Sequence, residues 1–209
     1  MTEQTTQKKY ELLKDDTVEH LGRTLYRIKA LITFGLVGAG QLGGYIETEK
    51  NLDHSGNAWV YGDARVYGDA CVYGNAGVYD NAWVYGNARV YGNARVYGNA
   101  RVYGNARVYG NARVYGDARV YGDAWVSGDA LVRSFAVISE RKMIFCASNV
   151  GPKNRTLTVF NGKYGLIVTR GCFTGTVDEF LSKSKEVHDD KTHHGYKLLI
   201  EVAQSRILN

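Results

Sequence analysis

The stretch VYGNARVYGNARVYGNARVYGNARVYGDARVYGDA, from Val90 to Ala124, repeats nearly the same six residues. The period extends beyond it, because valine recurs at every sixth residue from Val60 to Val132 and alanine does so from Ala58 to Ala130. Asn or Asp precedes each of these alanines, and glycine precedes that residue in every hexad except the one in which Asp80 stands. A fixed internal period of this kind indicates a repeat architecture.

A period of six does not fit a helix, but it fits a strand of about three residues followed by a turn of about three. Alternation along the strand directs valine inward and its Arg and Tyr neighbours outward. Gly-Asn or Gly-Asp forms the corner, because these residues tolerate a positive φ best. Three hexads would close a triangular coil of eighteen residues, and coils would stack at about 4.8 Å. We therefore predict a mainly β, parallel solenoid.

The hexads VYGNAR and VYGDAW resemble the hexapeptide-repeat left-handed β-helix, whose pattern is an aliphatic residue, two or three turn residues and then a small residue. This resemblance implies that the coils are left-handed, which the period alone does not specify. We therefore predict a left-handed parallel β-helix with three hexads per coil.

The hexad frame can be followed on both sides of the regular block, and it predicts a solenoid over residues 36–143. Counting back by sixes puts four residues at the valine position and two at the alanine position: His54, Thr48, Leu42 and Leu36, and Leu52 and Ile46. Because each coil touches only its neighbours, both ends need caps. Residues 1–35 are predicted to be a polar tail and a β-hairpin that turns at His20–Arg23.

Residues 144–209 are predicted to form an α+β cap with two helices. Two strands would be joined near Asn161–Gly162, and a capping box at Thr176–Glu179 would start the first helix. The second helix would run from about Tyr196 to Leu208. The predicted inward residues are Val177, Phe180, Leu181 and Ser184 on the first helix, and Leu198, Leu199, Val202, Ala203 and Ile207 on the second.

Residues eighteen apart should stack in columns on the outside, with Arg89 below Arg107, Arg95 below Arg113, and Arg101 below Arg119. Between residues 81 and 116 the chain has five arginines and no acidic residue. We call Arg89, Arg95, Arg101, Arg107 and Arg113 the arginine girdle. Tyrosine should form three ladders: Tyr79, Tyr97 and Tyr115; Tyr67, Tyr85, Tyr103 and Tyr121; and Tyr73, Tyr91 and Tyr109.

The candidate binding residues are the arginine girdle, the tyrosines beside it and three tryptophans that replace arginine on three different faces: Tyr91, Tyr97, Tyr103 and Tyr109, and Trp59, Trp83 and Trp125. Arginine beside tyrosine can bind phosphates, stack on bases or anchor a protein interface. Two alternatives stay open. The tyrosines could pack on one another with arginine across their rings, and the arginines could be copies produced by tandem duplication.

Composition excludes several classes of protein. The chain of 209 residues has no run of about 18 apolar residues that would cross a membrane, and its N-terminus lacks the apolar stretch of a signal peptide. Three scattered cysteines form neither a disulfide framework nor a zinc spacing. The formal charge of +5 is too modest to identify a nucleic-acid-binding protein. These features predict a cytoplasmic protein.

The sequence gives little indication of catalytic activity. We predict no catalytic residue, no metal and no cofactor. The repeat block has no histidine after His54, whose place in the frame predicts a cap or a buried role. The segment HDDKTHH (188–194) is predicted to be a loop between helices in which these side chains are solvated. No base can be placed beside Cys172, so we predict that this cysteine is packed.

The chain also resembles a group of phage- and prophage-encoded hexapeptide-repeat proteins over most of its length. The resemblance lies in TLYRIKAL, QLGGYIETEKNLDHSGNAWVYG, the VYGNA array and GCFTGTVDEF ahead of a helical tail. It implies an accessory protein in the cytoplasm of a bacterial host that acts on a host factor. The expected partner is a host protein, such as a defence component, or an anionic ligand; a nucleic acid is less favoured.

Further expectations come from the hexapeptide-repeat fold itself. The resemblance implies a homo-oligomer, with a trimer favoured. One alternative function is a self-assembling structural protein, which the predicted caps disfavour. Another is an acyltransferase, since many proteins of this fold are such enzymes, but the histidine that they commonly use is missing. We therefore expect a non-enzymatic binding protein.

Overall fold

The computed structural model describes residues 8–209, so the first seven residues of the predicted N-terminal tail lie outside the described part. Three longer strands come first: β1 (Tyr10–His20), β2 (Arg23–Ala30) and β3 (Leu42–Ile46). A 3₁₀ turn at Glu49–Asn51 follows them. Fourteen two-residue strands then begin at intervals of six residues: β4 (Trp59–Val60), β5 (Arg65–Val66), β6 (Cys71–Val72), β7 (Gly77–Val78), β8 (Trp83–Val84), β9 (Arg89–Val90), β10 (Arg95–Val96), β11 (Arg101–Val102), β12 (Arg107–Val108), β13 (Arg113–Val114), β14 (Arg119–Val120), β15 (Trp125–Val126), β16 (Leu131–Val132) and β17 (Val137–Ile138).

The chain ends in an α+β unit after a second 3₁₀ turn at Arg141–Met143. Its elements are β18 (Ile144–Val150), β19 (Arg155–Gly162), β20 (Gly165–Arg170), β21 (Phe173–Thr176), α1 (Val177–Val187) and α2 (Asp190–Leu208). The four strands form one antiparallel sheet in chain order.

The short strands stack into a parallel solenoid with three faces. The first face contains β3, β5, β8, β11, β14 and β17; the second contains β4, β7, β10, β13 and β16; the third contains β6, β9, β12 and β15. Partners are eighteen residues apart within the regular block, as where Arg95 lies opposite Arg113 and Arg101 opposite Arg119. These faces make about five coils. The predicted class, a mainly β solenoid with three hexads per coil, is confirmed.

Valine and alanine fill the interior of the solenoid. Every valine of the frame from Val60 to Val132 is fully buried, and every alanine from Ala58 to Ala130 is at most 1 % exposed. Burial of each valine contributes roughly 1.5–3 kcal/mol, most of which offsets the cost of ordering the chain. Glycine is required at the corners, as at Gly104 with a φ of 68°, where a β carbon would lie 2.9 Å from the Gly122 amide nitrogen.

Asparagine ladders connect the corners of successive coils. Asn57, Asn75 and Asn93 each donate a side-chain N–H to the amide oxygen of the asparagine one coil further on, at 3.1 Å. Asn111 then donates to the Asp129 carboxylate at 2.9 Å. Asparagine both donates and accepts, whereas an ionised aspartate only accepts, so aspartate ends the ladder.

The first coil departs from the predicted frame. Ile46 lies opposite Val66, and Leu52 bridges to Val72, so both pairs are separated by twenty residues rather than eighteen. Two additional residues therefore lie in the loop between Leu52 and Ala58, and counting by sixes through this loop gave the wrong register. The prediction that four residues before the regular block occupy the inward valine position was therefore wrong. Leu36 is 98 % and Leu42 is 52 % exposed, Thr48 is exposed and His54 is half-buried.

The N-terminal hairpin covers one end of the solenoid. Strands β1 and β2 pair antiparallel across the expected turn after His20, and β2 pairs antiparallel with β3, which extends the first face. Lys9 Nζ donates to the Ala58 carbonyl at 2.9 Å, and the Tyr10 hydroxyl donates to the Leu52 carbonyl at 2.6 Å. Burial lowers the pKa of Lys9 to about 8, against the opposing effect of Asp53. Side chains of the hairpin thus satisfy backbone groups at this end.

The C-terminal sheet covers the other end in the same way. Phe160 is fully buried and belongs to the solenoid core. The Leu131 N–H donates to Thr158 Oγ1 at 3.2 Å, and Thr169 Oγ1 donates to the Leu131 carbonyl at 2.6 Å. Asn161 Nδ2 donates to the Val137 carbonyl at 3.0 Å. The hairpin between β19 and β20 turns just after the predicted Asn161–Gly162 position.

The two helices differ in how closely they follow the sequence prediction. The Thr176–Glu179 capping box starts α1 as expected, and Phe180 and Ser184 are its buried residues. Helix α2 begins at Asp190, so most of the predicted 188–194 loop is helical. Its buried residues are Tyr196, Ile200, Ala203 and Ile207, whereas Leu198 and Val202, which were predicted to lie inward, are about half exposed.

Within residues 8–209, no helix combines the length and apolar character needed to span a membrane.

Candidate binding surface on the solenoid

The arginine girdle surrounds the middle of the solenoid. Because valine occupies the inward position of each short strand, the preceding arginine points to solvent. Arg101 lies on the first face, Arg95 and Arg113 lie on the second, and Arg89 and Arg107 lie on the third. All of them are exposed except Arg107, which is half-buried. The girdle therefore presents positive charge on every face.

The girdle has few contacts within the chain. Over residues 8–209, none of its five side chains forms a salt bridge or a side-chain hydrogen bond. Arg101 lies 4.6 Å from the centre of the Trp83 ring, and Arg107 lies 5.0 Å from that of Trp125. Within the described residues, the cation–π contacts of the girdle are thus with tryptophan, and not with tyrosine as the alternative interpretation had it. The charged ends remain available to an anionic group.

Tyrosines form ladders beside the girdle, as predicted. On the first and third faces, successive rings from Tyr67 to Tyr121 and from Tyr73 to Tyr109 stack at 4.8–5.0 Å. Burial raises the pKa of Tyr103, the neighbouring Tyr121 adds to the rise, and nearby arginines oppose it. The Tyr103 phenol therefore stays neutral at physiological pH and acts as a hydrogen-bond donor and as apolar surface. On the second face the prediction was wrong in part, because Tyr97 stacks on Tyr115 but Tyr79 stacks on Tyr61 and not on Tyr97.

The three tryptophans lie on three different faces, as predicted, but they are not equivalent. Trp59 is fully buried and packs against Tyr10 and Phe34, so it cannot contact a partner and is removed from the candidate surface. Trp83 is half-buried beneath His20 and Arg101. Trp125 is half-buried, with the Arg141 guanidinium 3.6 Å from its ring centre.

Residues considered for catalysis or metal binding are dispersed. His54 stacks on Tyr10 at 4.3 Å and accepts the Lys9 N–H at 3.2 Å, in the cap role predicted for it. Cys172 was predicted to be packed, but it lies exposed in the turn before β21, which corrects that prediction. No group of three or more metal-ligating side chains occurs between residues 8 and 209.

A basic pocket in the C-terminal unit was not foreseen from the sequence. Its volume is about 660 Å³, and its lining includes Lys153, Arg155, Arg170 and Lys183. These residues come from a loop, two strands and a helix. No local motif links them, so only the folded sheet and helix bring them together.

The parallel faces, the buried valine column and the exposed arginines define the chain as a β-solenoid repeat protein. Within this class, its hexads are similar to the family described as YdcK beta solenoid repeat. The matching windows are residues 58–74, 64–80, 82–98, 94–110, 100–116, 106–122 and 112–128. They cover about a third of the chain, all of it within the solenoid. No curated protein matches the chain.

Proposed function

We propose that this chain is a non-enzymatic binding protein whose solenoid is a rigid scaffold for the arginine girdle. Its partner would be a host protein, such as a defence component, or an anionic ligand. The girdle, its tyrosine ladders and the exposed parts of Trp83 and Trp125 would form the contact surface. Arginine and aromatic side chains are the residues that most often dominate binding energy at protein interfaces.

The observation that carries this proposal is the absence of salt bridges and side-chain hydrogen bonds to the girdle within residues 8–209. By contrast, Arg27 in the N-terminal cap binds Asp16 through Nε at 2.8 Å and donates to the Gly43 carbonyl at 3.0 Å. Arg27 thus has polar partners that stabilise the cap, whereas within residues 8–209 the girdle arginines have neither a salt bridge nor a side-chain hydrogen bond. Five such charges, in a segment with no acidic residue between residues 81 and 116, attract an anionic surface.

The biological setting is proposed from the resemblance to phage and prophage proteins. We place the protein in the cytoplasm of a bacterial host, where it would act as a phage accessory factor. A homotrimer, with one face of each solenoid buried against its neighbours, is the favoured assembly. A self-assembling structural protein is the second candidate, but the capped ends disfavour it. An acyltransferase is the third and is disfavoured because the repeat block lacks histidine after His54.

Reversing the girdle charge tests the proposal. The variant Arg95→Glu/Arg101→Glu/Arg107→Glu is expected to retain at least ten-fold less partner than the parent in an affinity pull-down from host lysate, a loss of about 1.4 kcal/mol or more. All three residues point to solvent or are half-buried, so the far-ultraviolet circular dichroism spectrum should not change. One arm is treated with nuclease, which separates a protein partner from a nucleic acid.

A matched control changes the same number of charges elsewhere. Lys142, Lys185 and Lys191 are exposed and lie outside the solenoid. Their replacement by glutamate should leave partner retention close to that of the parent. Equal retention by the girdle variant and the parent would refute the proposal, and so would an equal loss in both triple variants.

A further inference from the structure

The tyrosine ladder of the second face is broken at one place. Tyr61 and Tyr79 stack at 4.4 Å, and Tyr97 and Tyr115 stack at 4.6 Å. Tyr79 and Tyr97, which both belong to the described part of the chain, form no stacked pair. All successive tyrosines on the other two faces do stack, so the break is specific to this coil.

Two departures from the repeat explain the break. Gly77 is the one hexad residue without a side chain at the position that usually holds arginine, and a β carbon there would collide with the Tyr79 ring. The ring therefore occupies the space that this side chain would fill. Asp80 replaces the corner glycine with a φ of 58°, and its carboxylate accepts the Gly98 N–H at 3.0 Å. Both departures lie beside the broken ladder.

The break opens a cleft of about 430 Å³. Its lining residues include Tyr79, Asp80, Tyr97, Arg95 and Arg113. Leu36, from the loop between β2 and β3, also lines it and is 98 % exposed. This volume is within the usual range for small-molecule sites. An exposed leucine beside aromatic rings supplies apolar surface that a ligand would cover.

The charges beside the cleft are arranged around its aromatic surface. Arg95 lines the cleft together with the Tyr61 and Tyr97 rings. Arg113 lies opposite Arg95 on the next coil. Two unpaired guanidinium groups one coil apart match the oxygens of a phosphate.

We propose that this cleft binds a planar aromatic anion of the nucleotide class. The base would stack on the face of Tyr97 that the broken ladder leaves uncovered, and the phosphate would pair with Arg95 and Arg113. The Asp80 carboxylate would accept hydrogen bonds from sugar hydroxyls. Stacking of a base on an aromatic ring contributes about 1–3 kcal/mol. This inference rests on the proposed function, because both arginines belong to the girdle.

Restoring the repeat provides the test. In Gly77→Arg/Asp80→Gly the coil regains the common hexad, the new side chain displaces the Tyr79 ring, and the cleft closes. The probes are AMP, GMP, CMP and UMP, titrated separately by isothermal calorimetry. At least one should bind the parent, and its affinity for the restored variant should fall at least thirty-fold. The control Asp69→Asn/Cys71→Arg also adds two units of positive charge, with its arginine at the equivalent hexad position of the third face, and it should bind like the parent.

Several results would contradict the proposal that the cleft binds a nucleotide. These are no binding of any mononucleotide, binding of single-stranded oligonucleotides alone, or equal affinity of the parent and the restored variant. The variant Arg101→Glu/Arg107→Glu lies on the other two faces and separates this inference from the proposed function. If that variant loses nucleotide binding while the restored one keeps it, the girdle is supported and the cleft is refuted. Retention of a host protein without nucleotide binding leads to the same conclusion.

Discussion

Replacing Val90 with aspartate is expected to unfold the solenoid at a denaturant concentration well below that of the parent. Val90 is fully buried and lies between Val72 and Val108 of the adjacent coils. A carboxylate at this position would have no partner inside a column of valine and alanine. An uncompensated buried charge costs about 3–5 kcal/mol, which is a large part of the stability of an ordinary domain.

The matched control is the preceding residue, because Arg89→Asp introduces the same side chain on the outside of the same strand. Arg89 is exposed, so its replacement should change the free energy of unfolding by about 0.5 kcal/mol or less. Urea titration followed by circular dichroism measures both. Similar midpoints for the two variants would show that valine and arginine do not alternate between inside and outside.

Removing the C-terminal cap is expected to make the chain associate through the bare end of the solenoid, while the N-terminal hairpin still covers the other end. A chain that ends at Ser139 loses Phe160 from the end of the core, and it also loses Thr158, Thr169 and Asn161, which satisfy the last coil. The backbone groups of that coil would then be free to pair with another chain. Multi-angle light scattering should give a mass that rises with concentration for the truncated chain and stays constant for the intact chain.

The control for this truncation removes one of the backbone N–H groups that the missing cap leaves unpaired at the end of the solenoid. Leu131 donates its N–H to the cap in the intact protein, and proline has no N–H. Leu131→Pro in the truncated chain should therefore reduce this end-to-end association. If the truncated chain stays discrete, the cap does not protect the solenoid end. Polymers of the intact chain would instead favour the self-assembling alternative.

The regular part of the fold could be predicted because every hexad has nearly the same pattern of residue types. Valine, alanine and glycine each have one place in the coil, and neighbouring coils repeat it. The predicted register was wrong where this regularity ends, because the loop after Leu52 is two residues longer than in the regular hexads. Nothing in the sequence shows that two residues are added there, since Leu52 and Ile46 are plausible at either inward position.

The second helix shows a different limit. Histidine and aspartate between residues 188 and 194 suggest a solvated loop, yet Asp189 caps the helix by accepting the Thr192 N–H at 2.7 Å. The sheet then selects which face of the helix is buried. Tyr196 and Ile200 pack on it, and Leu198 turns outward because that side of the helix has no partner within the described residues.

The candidate site was predictable in outline but not in detail. The girdle follows from alternation, so its columns were correct. Burial of Trp59 depends on a cap that packs over it, and this contact is distant in sequence. The broken ladder lies beside two visible departures from the hexad, Gly77 and Asp80, but the movement of the Tyr79 ring into the space above Gly77 is seen only in the folded coil.

The central claim is that residues eighteen apart lie in columns, since the girdle and the cleft both depend on it. Asn57 and Asp129 are exposed, and a chain of hydrogen-bonded corner side chains connects them across four coils. Spin labels at Asn57→Cys and Asp129→Cys, with the three native cysteines replaced by serine, can be measured by pulsed dipolar spectroscopy. At about 4.8 Å per coil, the two backbone positions should be about 19 Å apart, with a narrow distribution. A distance above about 40 Å, or a broad distribution without a maximum, would contradict the stacked coils.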